Sequence, residues 1–109
     1  MIQFHKVKLR KRGYDHSKAT ITAKPGDRDK IVSRSQDVIG PTRSELGCIS
    51  YELFASTEDK DVLMMFEQWE NREGLESHMQ TEHFKAFGAA IKDIIAKELE
   101  ISIYFAEKA

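Results

Sequence analysis

Apolar and polar residues alternate over residues 18–24, with Ala19, Ile21 and Ala23 on one parity and Thr20 and Thr22 on the other, which predicts a short strand. Pro25-Gly26 ends it, since proline removes a ladder donor and glycine tolerates positive φ. Asp27 is placed to cap a helix running to about Thr42, with Ile31, Val38 and Ile39 on one face. Gly40-Pro41 predicts an irregular last turn. After the break at Leu46-Gly47, residues 48–55 read as a strand with Ile49, Tyr51 and Leu53 on one face and Cys48, Ser50, Glu52 and Phe54 on the other. A charged turn over residues 56–61 leads to a third strand over residues 62–70. Asn71 caps a short helix carrying Leu75 and Met79; Thr81 opens a longer one with Phe84, Phe87, Ile91, Ile94 and Ile95 at helical spacing. The last strand, residues 98–106, has Leu99, Ile101, Ile103 and Phe105 on one parity. Upstream, residues 2–10 are a weaker strand candidate whose parity slips midway, and residues 13–17 read as a turn.

The resulting βαββαβ order predicts an α+β, ferredoxin-like subunit: an antiparallel sheet with helices on one face. The third strand complicates this. Val62, Met64 and Phe66 occupy one parity and Leu63, Met65 and Trp69 the other, so both of its faces need cover, and helices of the same chain supply only one. With 109 residues the chain is long enough for one core. It divides into a basic extension, residues 1–17, forming an arm or edge strand, and a domain over residues 18–109.

Charge and composition exclude more than they assign. The formal net charge of −1 gives no overall reason to expect nucleic acid, although Lys6, Lys8, Arg10, Lys11 and Arg12 crowd the opening segment. No apolar run approaches the roughly 20 residues of a membrane span, and the opening residues lack the pattern of a signal peptide. Cys48 is the only cysteine, so no internal disulfide is possible and a cytoplasmic setting is expected. There is no Gly-rich phosphate loop, cysteine cluster or nucleophile elbow to point to nucleotide or metal chemistry.

Four segments in order carry a family resemblance: ATITAKPG (residues 19–26), ELGCISY (45–51), FEQW (66–69) and HMQTEHF (78–84). Together they resemble the antibiotic biosynthesis monooxygenase domain, and the quinol monooxygenase-like branch within it. The resemblance covers roughly residues 18–104. It implies a dimeric α+β barrel in which two ferredoxin-like subunits pack sheet against sheet, giving a homodimer and a reason for the two-sided third strand. It also implies cofactor-free oxidation of a small aromatic or quinol-like molecule by O2, in a pocket between sheet and helices. In haem-degrading relatives the iron ligand falls near the position of Gly88, which cannot ligate iron, so haem is not expected. The alternative is a non-catalytic dimeric barrel of the stress-response type that binds a small hydrophobic ligand.

The implied reaction uses the substrate as its own electron source, so a base within reach of its hydroxyl would help by raising the electron density of the ring. His78 is the first candidate, because an ordinary imidazole pKa near 6.5 allows either proton role at neutral pH. Trp69 offers a flat apolar wall with one N–H, Tyr51 a hydroxyl, and Glu67 shares a strand parity with Trp69. These four form the predicted catalytic set, with no cofactor-binding or metal-binding residue. Against them stand plainer roles: His78 as a helix-end cation, Trp69 as core, Glu67 as a paired structural carboxylate. His83 reads as solvated or capping. His78 and His83 straddle the Thr81 break five residues apart, unlike the i, i+4 pair of a helical zinc site. Cys48, Met64 and Met65 read as packing residues.

Overall fold

The structure, a computed structural model, describes residues 13–109; the basic segment and the strand expected over residues 2–10 lie outside the described residues. The first described strand, β1 (Tyr14–Thr22), starts four residues earlier than its alternation predicts. Of the turn expected over residues 13–17, Tyr14 to Ser17 are instead strand, with Asp15, His16 and Ser17 in register with both neighbours. The local sequence misled because the core parity of this stretch is polar: Asp15 and Ser17 are buried alongside Ala19 and Ile21. Arg72 satisfies Asp15, its Nε and Nη2 donating to Oδ1 at 3.1 and 3.0 Å. That pair also pins the start of a later helix to the sheet.

Helix α1 (Arg28–Arg43) follows the Pro25-Gly26 turn, where Gly26 has φ of 85°. Asp27 precedes the helix as expected but makes no side-chain cap; its carbonyl accepts from Lys30 and Ile31, and its carboxylate lies 3.3 Å from Lys30 Nζ. Pro41 sits inside the last turn without ending the helix. Ile31, Val38 and Ile39 face the sheet, with Ser35 and Thr42 buried beside them. Strands β2 (Cys48–Ala55) and β3 (Val62–Trp69) pair antiparallel. A bulge between Cys48 and Ser50 shifts the parity, so that Cys48, Tyr51 and Leu53 turn toward the core and Ile49 does not.

Two short helices, α2 (Arg72–His78) and α3 (Glu82–Ile91), carry the chain back to β4 (Glu100–Ala106). Asn71 caps α2 by accepting from the Gly74 N–H at 2.8 Å, and Thr81 caps α3 by accepting from the Phe84 N–H at 3.2 Å. Helix α3 ends at Ile91, short of the expected length; Ile94 is buried in the turn that follows and Ile95 bridges to Ala23.

The sheet order is β2-β3-β1-β4, every pair antiparallel, with the helices on one face: a ferredoxin-like α+β fold. The core lies between that face and the helices, around Ile21, Ile31, Val38, Leu63, Met65, Trp69, Leu75 and Ile91. Strand β3 buries Leu63, Met65, Glu67 and Trp69 and leaves Val62, Met64 and Phe66 half-buried on the opposite face, beside exposed Phe54 and Tyr104. The helices stop short of β4, whose core-parity residues Ile101, Ile103 and Phe105 are exposed. Among the described residues, no helix is long and apolar enough to cross a membrane.

Candidate active site

His78, the last residue of α2, has no solvent exposure at all. It is held there from both sides. Thr81 donates its hydroxyl to the His78 carbonyl at 2.7 Å while capping α3, which fixes the junction between the two helices. The ring stands 5.2 Å from the Tyr51 ring and 5.1 Å from each of the Trp69 and Phe84 rings, centroid to centroid. The helix-end cation reading of His78 fails on this burial: it is an aromatic-walled core residue, and burial pushes its pKa below the ordinary value, partly offset by its hydrogen bond to Glu45.

Glu45 is the residue whose role the sequence did not disclose. It sits in the turn after α1, where its N–H donates to Thr42 O at 3.0 Å and its carbonyl accepts from Cys48 N at 3.2 Å. Its Oε2 is 2.8 Å from His78 Nδ1 and 2.7 Å from His83 Nε2. A carboxylate oxygen accepts, so both of those nitrogens carry protons. In the neutral imidazole of His78 the remaining lone pair is then on Nε2, a buried atom with no hydrogen-bond partner among the described residues. His83, expected to be solvated or capping, is instead half-buried and joined to this pair. The signal for Glu45 was present, as the first residue of the ELGCISY segment, but its partners are 33 and 38 residues away in the chain.

On the other side of the ring, Glu67 Oε1 lies 4.0 Å from His78 Nε2 and accepts from Trp69 Nε1 at 3.0 Å. Burial pushes the Glu67 carboxyl up to about 7, and the nearby negative charge of Glu45 adds to the effect; hydrogen bonds from Trp69 and Ser17 oppose it. Burial, with Glu67 and Glu45 close by, also raises the Tyr51 hydroxyl well above its ordinary value, so Tyr51 acts as a neutral donor or wall. Cys48 is likewise raised, first by burial and then by the same two carboxyls, which suits an inert thiol.

A largely apolar cavity of about 30 Å³ faces this cluster. Its wall includes Ser17, Tyr51, Glu67, His78, Phe84 and Ile101. Three of the four predicted residues therefore meet at one cavity. The fourth, Trp69, lies behind Glu67 with its N–H already committed, so it orients the carboxyl rather than offering a donor to a ligand. The arrangement can do proton chemistry in a water-poor space: an orienting carboxylate, a neutral imidazole with one free lone pair, and a carboxyl that exchanges its proton near neutral pH.

Comparison with known proteins agrees with this reading of the fold. Residues 16–90 match the antibiotic biosynthesis monooxygenase family, and the chain belongs to that family. It is 39% identical over 84 residues to the uncharacterized protein sll1783 of Synechocystis sp., an alignment covering 77% of this chain and 57% of that protein. It thus spans little more than half the length of that relative. It is 29% identical over 94 residues to the Escherichia coli K12 protein named probable quinol monooxygenase YgiN, covering 76% of this chain and 90% of the other. The crystal structure of a conserved protein from Methanosarcina mazei Go1 superposes with a TM-score of 0.83 at 27% identity, covering 93% of this chain and 99% of that one.

Proposed function

We propose that the protein is a cofactor-independent monooxygenase that oxidises a small aromatic or quinol-type molecule with O2. The observation that carries this reading is the buried Nε2 of His78, without a hydrogen-bond partner among the described residues, fixed as a proton acceptor by the Glu45 bond to Nδ1, on a residue that lines a largely apolar cavity. Membership of the family and the name of the Escherichia coli relative support it.

In the proposed reaction the substrate hydroxyl gives its proton to His78 Nε2. The resulting phenolate passes two electrons to O2, one at a time, and a carbon–oxygen bond forms at an activated ring position. The His78 proton then goes to the outer peroxide oxygen. Loss of the ring C–H proton to His78 breaks the O–O bond; the carbon becomes a carbonyl, and the second oxygen leaves as hydroxide, which takes that proton from His78 to become water and restores the base. Excluding water protects the electron-rich phenolate, and a protonated Glu67 is placed to donate to a substrate oxygen. The cavity as it stands is smaller than an aromatic ring, so the wall has to widen; half-exposed Ile101 on β4 is the natural door.

The same proposal includes a homodimer. A second copy laid over the open sheet face would bury Val62, Met64, Phe66, Phe54 and Tyr104, the two-sided strand's unmet requirement. Sedimentation equilibrium is expected to show a dimer at micromolar concentration; a stable monomer there removes this part of the proposal. For the activity, a panel of hydroquinones is followed by O2 uptake, with catalase and chelator controls. Substrate-dependent uptake that a His78→Gln variant loses is the expected result. Equal uptake by both proteins would sink the assignment of His78.

A further inference from the structure

Glu45, His78 and His83 come from three separate elements: the turn after α1, the end of α2 and the first turn of α3. Their donor atoms all lie within 4.8 Å of one another, and the two imidazole nitrogens converge on a single carboxylate oxygen at 2.8 and 2.7 Å. Around a tetrahedral ion with bonds of about 2.0–2.1 Å, ligand atoms stand about 3.4 Å apart. The two nitrogen–oxygen separations are thus about 0.6–0.7 Å short of a coordinating arrangement, and the two nitrogens, at most 4.8 Å apart, have to close by no more than about 1.4 Å.

Two imidazoles and one carboxylate form a borderline donor set that suits Zn²⁺ and its neighbours rather than Mg²⁺ or Ca²⁺. The outer ligands, with side chains 23% (His83) and 14% (Glu45) exposed, give an ion a route in from the surface, while His78 at 1% is the inner one. With the metal on Nδ1, the ring proton moves to Nε2, which lies 4.0 Å from Glu67 Oε1, beyond hydrogen-bond distance but near enough for a side-chain shift of about 1 Å to supply an acceptor.

We propose that Glu45, His78 and His83 form a binding site for a divalent cation of the Zn²⁺ class, and that the bound ion shuts off His78 as a proton acceptor. The inhibitory half rests on the monooxygenase reading; the binding half does not. The metal takes the position that now holds the Nδ1 proton, so Nε2 changes from acceptor to donor and the substrate hydroxyl finds no base. No covalent step or net proton release from His78 is involved, and a chelator reverses the effect.

The test uses the full chain without a histidine tag. Co²⁺ is titrated in and the visible d–d absorption followed, then displaced by Zn²⁺. One Co²⁺ per chain is expected, with the strong visible bands of four- or five-coordination. His83→Ala, at a half-exposed position and checked for folding by circular dichroism, should abolish the bands. No stoichiometric binding, or unchanged bands in folded His83→Ala, overturns the site. In the activity arm, Zn²⁺ should suppress O2 uptake and EDTA restore it. Stoichiometric binding with full activity retained overturns the inhibitory half alone. Binding by a protein that oxidises no substrate upholds the site and counts against the proposed function instead.

Discussion

Glu67 is expected to make this protein less stable as pH rises through neutrality, by an amount that its burial sets. Its carboxyl is 5% exposed and pushed from 4.5 up to about 7. The folded state therefore holds that proton more tightly than the unfolded chain does. The associated stability is fully present below about 4.5 and is lost as pH climbs through about 7. At about 1.4 kcal/mol per pKa unit, the shift corresponds to about 3 kcal/mol, an order-of-magnitude figure. Other groups titrate in the same window, so the measurement is a difference. Glu67→Gln keeps the shape and still accepts from Trp69 Nε1 but has no proton to lose. Urea unfolding of both proteins at pH 5, 6, 7 and 8, at one protein concentration and in EDTA, isolates the Glu67 contribution. The variant should gain about 2.5 kcal/mol on the parent between the ends of that range, because part of the loss precedes pH 5. With a urea slope of about 1–2 kcal/mol per molar, this is a relative midpoint shift of about 2 M. Burial pushes His78 below its ordinary value, so it stays neutral over the upper part of the range and contributes little there. Parallel pH curves for the two proteins would refute the reasoning, because they would mean that Glu67 ionises in the fold at little cost.

The remaining predictions concern the site and its supports. Trp69→Ala removes a fully buried side chain and the donor that holds Glu67, and should cost about 3–5 kcal/mol in thermal or urea unfolding. His78→Gln should lower turnover by about 10²–10⁴-fold while near-UV circular dichroism still reports a folded core. Gly47, at φ 86° in the turn that leads into β2, should lose about 1–2 kcal/mol on replacement by alanine, from backbone strain alone, since the nearest outside atom to the new Cβ is 3.8 Å away.

Much of the fold was legible because periodicity is a local property. The two-sided apolar pattern of β3 and the caps at Asn71 and Thr81 are each complete within a few residues of sequence. What escaped depends on distant partners. The polar residues Asp15 and Ser17 look like turn chemistry until Arg72 is brought to Asp15 and Ser17 is set opposite Glu67. The β2 bulge is similarly invisible, since Ile49, Tyr51 and Leu53 alternate cleanly and only the pairing with β3 displaces Ile49.

The site shows the same division more sharply. Tyr51, Glu67 and His78 could be named from residue type and strand parity, because each stands on or beside an element whose buried face the sequence reveals. Glu45 was not, since a glutamate in a turn is ordinarily solvated and, although it opens the ELGCISY segment, its partners lie 33 and 38 residues away. The fold makes it the pivot: one oxygen sets the tautomer of His78, holds His83 within reach and raises the Glu67 carboxyl through its charge. Replacing Glu45 by glutamine would test that pivot directly. Its single acceptor oxygen and its NH2 group cannot receive both imidazole protons as one carboxylate oxygen does, and the negative charge is gone. Two effects should follow together. Turnover should fall because the His78 tautomer is no longer fixed, and the Glu67 titration, read by the same unfolding comparison, should move modestly downward, burial still holding it above the ordinary carboxyl range. A Glu45→Gln protein with unchanged turnover and an unchanged Glu67 titration would show that the two histidines and the buried carboxyl are organised without it.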